Sequence, residues 1–325
     1  MHKDDILVLD GDVLAYKAAA SNETRSITAT HNESKKESEW DNRTAFRDFL
    51  KENNLVEADY TIADVQDPRH VSYGISLVNQ MIKRICQGAR VEKYEILLSG
   101  TDNFRDLIPL PKRYKSGRDD NIRPLQLRAI RQHLVDNHNA IVINGEEADD
   151  AIAARMWEGY QAYKKIGDPR IIGATVDKDA YGTMGFLYNW DKMVSPIYIS
   201  GLGELHWEGK KIKGTGRKWF YAQATMGDPV DYYRPADLCP GAKFGDAACF
   251  KLYDKCTTDQ ECWQAMYDQY MQWYPEPVTY TAHDGQEYVK DAVEIMQMYV
   301  DCAHMRRFPG DRIDCRGVLT KLGII

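Results

Sequence analysis

The chain has 325 residues, 43% of them hydrophobic and 28% charged, with a formal net charge of −7. This composition excludes a disordered or fibrous chain and allows one large domain or two unequal ones. No apolar run reaches the roughly 18 residues a membrane helix needs, and the opening Met1-His2-Lys3-Asp4-Asp5 lacks the regions of a signal peptide, so a cytoplasmic location is expected.

In chain order, Ile6-Leu7-Val8-Leu9 has strand length and ends at Asp10. Residues 21–54 are polar and charge-mixed and read as surface loop plus a solvated helix. Val71, Ile75, Val78, Ile82 and Ile85 recur at helical spacing. Glu95-Ile96-Leu97-Leu98 is a second strand-like run, ending near Asp102. A basic insertion follows at about residues 105–133. It carries Arg105, Lys112, Arg113, Lys115, Arg118, Arg123, Arg128 and Arg131 against Asp106, Asp119 and Asp120. Pro109 and Pro111 make it enter as a loop, and a helical pattern begins from Pro124. Ala140-Ile141-Val142-Ile143 is a third run, ending before Glu146. Residues 151–165 read as a helix, with Asp149 and Asp150 at its start and Gly167 beyond its end. A fourth run, residues 171–176, ends at Asp177.

Uninterrupted apolar runs suit strands buried on both faces. Their alternation with helices predicts an α/β domain over residues 1–220 with a parallel sheet. Beyond 220 the strand signals stop. Val289, Val293, Met296 and Val300 suggest helices, so residues 221–325 are expected to form a smaller helical region packed on the first. Within it, Leu238-Cys239-Pro240-Gly241-Ala242-Lys243-Phe244-Gly245 reads as the turn of a helix–turn–helix hairpin. Its backbone N–H groups could meet a phosphate. The seven cysteines are odd in number and form no CxxC pair, and Cys256 and Cys262 are poorly spaced for zinc; free thiols are expected.

Each strand-like run ends in carboxylates: Asp10-Gly11-Asp12, Thr101-Asp102, Glu146-Glu147-Ala148-Asp149-Asp150 and Asp177-Lys178-Asp179. Gly227-Asp228-Pro229-Val230-Asp231 adds a fifth motif. In a parallel sheet the C-terminal strand ends gather on one edge, where ligands bind. Acids after strands also cap helices and form turns, and Asp12 and Glu146 fit that role. Five such motifs together argue for cations, because gathered carboxylates raise one another's pKa. Oxygen-only ligation favours Mg²⁺ or Mn²⁺. Two such ions about 4 Å apart suit phosphodiester cleavage. The basic insertion would hold the phosphates that carboxylates repel, and Tyr114 could stack on a base. The eight histidines form no triad-like group; His133 and His138 read as surface residues.

These motifs resemble the flap endonuclease and 5′→3′ exonuclease family, especially the exonucleases of T-odd bacteriophages. The likeness runs from Ile6 to about Tyr253 and, more weakly, to Met305-Arg306-Arg307-Phe308. The most specific matches are Glu147-Ala148-Asp149-Asp150, Asp177-Lys178-Asp179, and Met226 to Asp231 followed by Pro240 to Lys243. The resemblance implies a PIN-like α/β domain, a helical arch and a helix–hairpin–helix-type DNA clamp. It implies a nuclease acting at 5′ ends and flaps of duplex DNA, and on the RNA strand of RNA–DNA hybrids, in phage replication and primer removal. Products would carry 5′-phosphates.

Matched by position, Asp10, Asp102, Glu147, Asp149 and Asp150 would form or support one metal site, and Asp177, Asp179, Asp228 and Asp231 the second. Lys115 and Arg118 match arch cations that contact the scissile phosphate. Tyr16 matches an aromatic stacking on the terminal nucleotide. Arg105, Lys112, Arg113, Gly241 and Lys243 are further candidates for nucleic-acid contact. The family's hairpin often coordinates a potassium ion, and Cys239 to Lys243 match that turn, although Pro240 departs from the small or apolar residue usual there.

Two rivals stand beside this reading. A haloacid-dehalogenase-like phosphatase would use Asp10 as nucleophile and Asp12 as general acid, but leaves Glu147-Ala148-Asp149-Asp150 and the basic insertion unexplained. A catalytically silent DNA clamp would have no need of the full carboxylate set.

Overall fold

The computed structural model describes residues 4–119, 121–167 and 170–325. Asp120 and the opening Met1–Lys3 stretch, both read above from sequence, lie outside the described residues. The first half runs β1 (Ile6–Asp10), α1 (Gly11–Ala20), β2 (Glu23–His31), β3 (Glu37–Trp40), α2 (Arg43–Glu52), β4 (Tyr60–Pro68), α3 (Val71–Ala89), β5 (Lys93–Asn103), α4 (Leu127–His138), β6 (Ile141–Gly145) and α5 (Ala148–Ile166). It continues with β7 (Ile171–Ala174), β8 (Gly185–Tyr188), β9 (Ile197–Ile199), β10 (Leu205–Glu208), β11 (Lys211–Gly214) and α6 (Gly216–Met226). The remainder is α7 (Asp246–Tyr253), α8 (Asp259–Trp273), β12 (Val278–Thr281), β13 (Glu287–Lys290), α9 (Ala292–Ala303) and α10 (Cys315–Lys321).

The chain divides into two compact units: Met1–Asp12 with Arg84–Asn121 and Asn139–Ile325, and Val13–Lys83 with Ile122–His138. The first is built on a six-stranded sheet of order β6-β5-β1-β7-β8-β9. The pairings β5–β6, β1–β5, β1–β7 and β7–β8 are parallel, and β9 is antiparallel to β8. This is the PIN-like α/β architecture expected. Leu7, Val8 and Leu9 are fully buried, because β1 lies inside the sheet with a neighbour on each side. Ile152 and Met156 of α5 pack against Val8, Leu97 and Leu187. No loop separates β1 from α1. A Cβ on Gly11 would sit 2.6 Å from the Leu97 carbonyl oxygen, so the turn into the helix requires glycine there.

The third apolar run departs from expectation. β6 is the sheet edge, and Ile141 and Val142 are exposed. An apolar run signals a strand but not its position in the sheet, and an edge strand lacks the second neighbour that buries an inner one.

The expected boundary near residue 220 falls inside α6, where residues 219–224 are buried in the same core as α8 and α9. The compact units therefore divide the chain elsewhere. Nor is the chain beyond 220 free of strands: β12 and β13 form an antiparallel pair. Val289 lies in β13, exposed, while the stripe of Val293, Met296 and Val300 belongs to α9. The Asp291 and Glu294 side chains make a capping box that starts α9 after Val289.

The second unit corrects the reading of residues 21–54. They form β2, β3 and α2, and β2 is the centre of a three-stranded antiparallel sheet of order β3-β2-β4. Ile27 and Ala29 on β2 alternate inward onto Phe46 and Leu50 of α2. So few inward positions among polar outward ones leave a weak strand signal. All seven cysteines are free. Among the described residues, no helix is long and apolar enough to cross a membrane.

Candidate carboxylate and cation site

All the geometry in this section lies within the first unit. Because β1, β7 and β6 run parallel, Asp10, Asp177 and Glu147 arrive at the same edge of the sheet. Asp10 is buried and accepts from the Thr175 hydroxyl at 2.7 Å. The same hydroxyl accepts from the Asp177 backbone N–H at 3.1 Å, and Asp177 in turn accepts from the Asp179 N–H at 2.9 Å. Thr175, unremarked in the sequence, thus ties the end of β1 to the Asp177–Asp179 turn.

Asp228 and Asp231 are brought in by the chain after α6. Asp228 N–H bonds the Tyr233 carbonyl at 2.9 Å and Tyr233 N–H returns to Asp228 at 3.2 Å, closing a turn with both aspartates buried inside. Carboxylate oxygens of Asp179, Asp228 and Asp231 lie within 4.8 Å of one another. Burial, then the Asp177 charge, pushes the Asp179 carboxyl up to about 6. Burial raises Asp231 as well, against the pull of Lys115 and Arg118. Asp149 is raised well above the ordinary range, by burial and by the charges of Asp10, Asp177 and Glu147. Burial and mutual repulsion raise these acids together, and the donors are all oxygen. That is the chemistry of a hard divalent cation site.

Side-chain cations sit among them. Lys178 donates to Asp179 at 3.0 Å and also to Asp228. Lys115 pairs with Glu147 and lies 4.0 Å from Asp231, and Arg118 pairs with Asp231. The Lys115 N–H bonds the Asp231 carbonyl at 2.9 Å, which fixes the basic segment onto the Asp228–Asp231 turn. Burial weakens the Lys115 charge, but Glu147 and Asp231 outweigh it and hold its pKa above the usual lysine value. Lys178 had no role in the sequence reading. Its place between two acids of the Asp177-Lys178-Asp179 motif was the available signal.

Two expected nucleic-acid contacts are corrected. Arg105 is 1% exposed and forms a two-pronged pair with Asp150 at 2.5 and 2.9 Å. It also donates to the Cys302 carbonyl at 3.0 Å and the His304 carbonyl at 3.1 Å. A guanidinium 1% exposed and bonded to four internal acceptors is closed to a phosphate. Asp150 follows: burial opposes its charge, Arg105 outweighs burial, and its carboxyl is held below the usual range. It braces the start of α5 through a capping box with Glu147, a supporting position. Tyr114 is 4% exposed; its hydroxyl donates to Asp231 at 2.9 Å, so the ring is not open to a base.

The other expected residues are spread. Asp102 is exposed on β5 and accepts from the Thr101 hydroxyl at 3.2 Å; no close contact joins it to the buried carboxylates among the described residues. Glu146 pairs with Arg306 at 3.1 Å, and Asp12 accepts from the Ser99 backbone N–H at 2.8 Å. Lys112 is exposed, its ammonium 6.0 Å from the Tyr232 ring centre. Arg113 pairs with Asp119 at the surface. Gly241 and Lys243 are exposed in a turn where Gly241 adopts φ +80°. α7 begins where expected, but residues 228–245 before it are turns and irregular structure. The tight hairpin is therefore replaced by a long connection from α6 to α7, in which Pro229, Pro235 and Pro240 prevent a helix. Tyr16 belongs to the second unit, exposed on α1.

No protein-family profile matches the chain, and no curated protein matches it. Among solved structures, a bacteriophage T5 flap endonuclease, in a pseudo-enzyme–product complex with DNA and metal ions, aligns with a TM-score of 0.51 at 14% identity. That alignment covers 98% of this chain and 96% of the other. A T5 protein co-crystallised with metal ions gives 0.48 at 15% identity, and a mutant T5 5′-exonuclease 0.49 at 12%. Each again covers 98% of this chain and 96% of its own. The chain thus shares the fold of the T5 flap endonuclease over nearly its whole length.

Proposed function

We propose that this chain is a divalent-metal-dependent nuclease that hydrolyses phosphodiester bonds at 5′ ends and flaps of DNA. Residues 1–220, together with Asp228 and Asp231, would carry the chemistry, and the rest of residues 221–325 much of the duplex contact. The observation that carries the reading is the convergence of Asp179, Asp228 and Asp231 within 4.8 Å, ringed by Lys178, Lys115 and Arg118. The fold shared with a T5 flap endonuclease, whose complex holds DNA and metal ions, supports it.

Asp179, Asp228 and Asp231, with Asp177, would hold one Mg²⁺ or Mn²⁺; Asp10, Glu147 and Asp149 would hold another. Asp102 and Asp150 would support rather than ligate. Two such ions supply Lewis acidity and lower the pKa of water. The chain's own part is to keep the carboxylates ionised and close, and to supply countercharge for the phosphate. In this structure Lys115, Arg118 and Lys178 neutralise the acids themselves. With that charge met by divalent ions, the Lys115 ammonium and the Arg118 guanidinium would be available to the scissile phosphate, where each would stabilise the negative charge that grows on its oxygens. Lys112, Arg113 and Lys243 would hold flanking phosphates. Potassium at the 239–243 turn and action on the RNA strand of hybrids belong to the same reading; flap cleavage with and without K⁺, and cleavage of an RNA–DNA hybrid, test them. The phosphatase alternative leaves the cluster of Asp179, Asp228 and Asp231 and the basic segment around it without a role.

The test is a 5′-flapped duplex labelled at its 3′ end, incubated with the chain in Mg²⁺ and in EDTA. Shortening from the 5′ side in Mg²⁺ alone, lost in Asp179→Ala, is expected. Binding without cleavage in either Mg²⁺ or Mn²⁺ would overturn catalysis and leave a DNA clamp.

A further inference from the structure

The backbone bonds between Asp228 and Tyr233 close a turn whose last inner residue, Tyr232, has φ +63°. Glycine or asparagine adopts that left-handed conformation readily; a bulky tyrosine is strained in it. The ring is not buried in exchange. Tyr232 is 44% exposed, while Asp231 and Tyr233 on either side of it are buried. A strained and exposed aromatic, one residue from a carboxylate of the cluster, calls for a ligand of its own.

Tyr232 lines a cavity of about 720 Å³ in the first unit. Lys178 and Asp228 line it too, so it adjoins the carboxylate site. Ile212 is buried, and the alternation of β11 turns Lys211 and Lys213 the other way. Both line the cavity, with Lys112 and Arg234. Its acids are Asp228, Asp237 and Asp246. Lys178 holds Asp228, and Lys211 holds Asp246 at 3.2 Å. Lys213 and Arg234 have no ion-pair partner among the described residues, and the Lys112 ammonium stands 6.0 Å from the Tyr232 ring centre. Lys112, Lys213 and Arg234 are thus left against Asp237 alone.

Unpaired cations beside an exposed ring suit single-stranded nucleic acid: the cations follow the phosphates and the ring takes the face of a base. Inside a duplex each base face is covered by its neighbours, so the ring selects an unpaired nucleotide. We infer that this cavity seats an unpaired nucleotide of the strand that reaches the carboxylate site, its base stacked on Tyr232 and its flanking phosphates held by Lys213 and Arg234. The inference deepens the nuclease reading and rests on it for the identity of that strand. The seat itself uses no residue assigned to a metal or to the scissile phosphate.

The experiment is fluorescence anisotropy of the full chain in EDTA with a 5′-flapped duplex, and with a series in which one flap nucleotide at a time is abasic. Each abasic duplex keeps its phosphates and loses one base. In wild type, one position or two adjacent ones should weaken binding about tenfold, the effect of one base–aromatic stack. Tyr232→Asn suits the left-handed turn. It should weaken the intact flap by the same factor and be indifferent to the abasic position; Tyr232→Trp should restore both. Lys213→Ala and Arg234→Ala should each lower the slope of log affinity against log salt by roughly 0.7–1, for intact and abasic flaps alike. Thermal unfolding of Tyr232→Asn should match or exceed wild type, which assigns the loss to the ring and not to the turn. If Tyr232→Asn fails to fold, the wild-type abasic series decides alone. A flat series in wild type, or a Tyr232→Asn chain as sensitive to the abasic position as wild type, would overturn the seat. Single-turnover flap cleavage in Mg²⁺ is measured in parallel. Tyr232→Asn should lose rate at low enzyme and keep most of it at saturation, because stacking holds the ground and transition states alike. Cleavage with a flat series overturns the seat alone. A Tyr232-dependent abasic position without cleavage overturns the nuclease and leaves the seat as part of a clamp.

Discussion

Lys178 donates to Asp228 across 50 residues of sequence, joining the turn after β7 to the turn after α6. It also holds Asp179 at 3.0 Å. One ammonium therefore stands between two carboxylates of the cluster, where a divalent ion would otherwise supply the charge. Burial disfavours that ammonium, yet Asp179 and Asp228 raise its pKa above the usual lysine value.

The first prediction concerns that exchange of cations. Lys178→Met removes the countercharge from Asp179 and Asp228. Metal-free unfolding temperature should fall, by an amount set by a loss of about 1–3 kcal/mol. Added Mg²⁺ should then raise it more in the variant than in wild type. Thermal melts in EDTA and in Mg²⁺ decide it; an equal metal effect in both proteins would contradict the exchange.

The second is a pH dependence in EDTA. The Asp179 carboxyl lies at about 6 in the folded chain against an ordinary 3.8. The folded state therefore binds that proton more tightly, and the stability it contributes is present below about pH 4 and lost as pH rises through 6. Asp179→Asn stays neutral throughout. It should match wild type near pH 4 and be more stable by about 1–3 kcal/mol at pH 7.5, as read from urea unfolding at both pH values. Greater stability of wild type at pH 7.5 would reverse the sign and refute the raised pKa.

The third separates structure from substrate contact. Arg105→Ala leaves Asp150 buried and unpaired, and the chain should lose about 3–5 kcal/mol in urea unfolding. Arg105→Lys should recover only part, because one ammonium cannot reproduce a two-pronged bond. Unchanged stability with weakened DNA binding would return Arg105 to the phosphate-contact role expected from sequence.

The fourth tests the seating of the basic segment. A Cβ on Gly117 would fall 1.9 Å from the Tyr232 ring, so Gly117→Ala must shift the ring or the segment carrying Lys115 and Arg118. Displacement near 1 Å can cost about 100-fold in rate. Single-turnover flap cleavage should slow by roughly 10- to 100-fold, with most of the rate restored by Tyr232→Ala in the same chain. Full activity of Gly117→Ala alone would mean the segment is not held at that point.

Much of the sheet was legible because its signals are local. The runs that became β1, β5 and β7 are apolar without interruption, and Gly167 ends α5 in the left-handed conformation at φ +80°. The carboxylate motifs were legible for the same reason: parallel strands end on one edge. The sheet of β2, β3 and β4 was hidden, because Ile27 and Ala29 are its few inward positions on β2 among polar residues. Ile141 and Val142 read as buried, yet edge position depends on partners the run does not encode.

Charge by itself could not say which cations face solvent. Arg105, Lys115 and Arg118 look alike in one basic segment, but Arg105 is sealed against Asp150 while Lys115 and Arg118 reach Glu147 and Asp231. The sequence by itself determined the chemistry available: oxygen donors at strand ends, and cations in the segment between β5 and β6. Only the tertiary structure decided which of them meet, because burial and distance set whether an ion pair is a brace or a reserve of charge for a ligand.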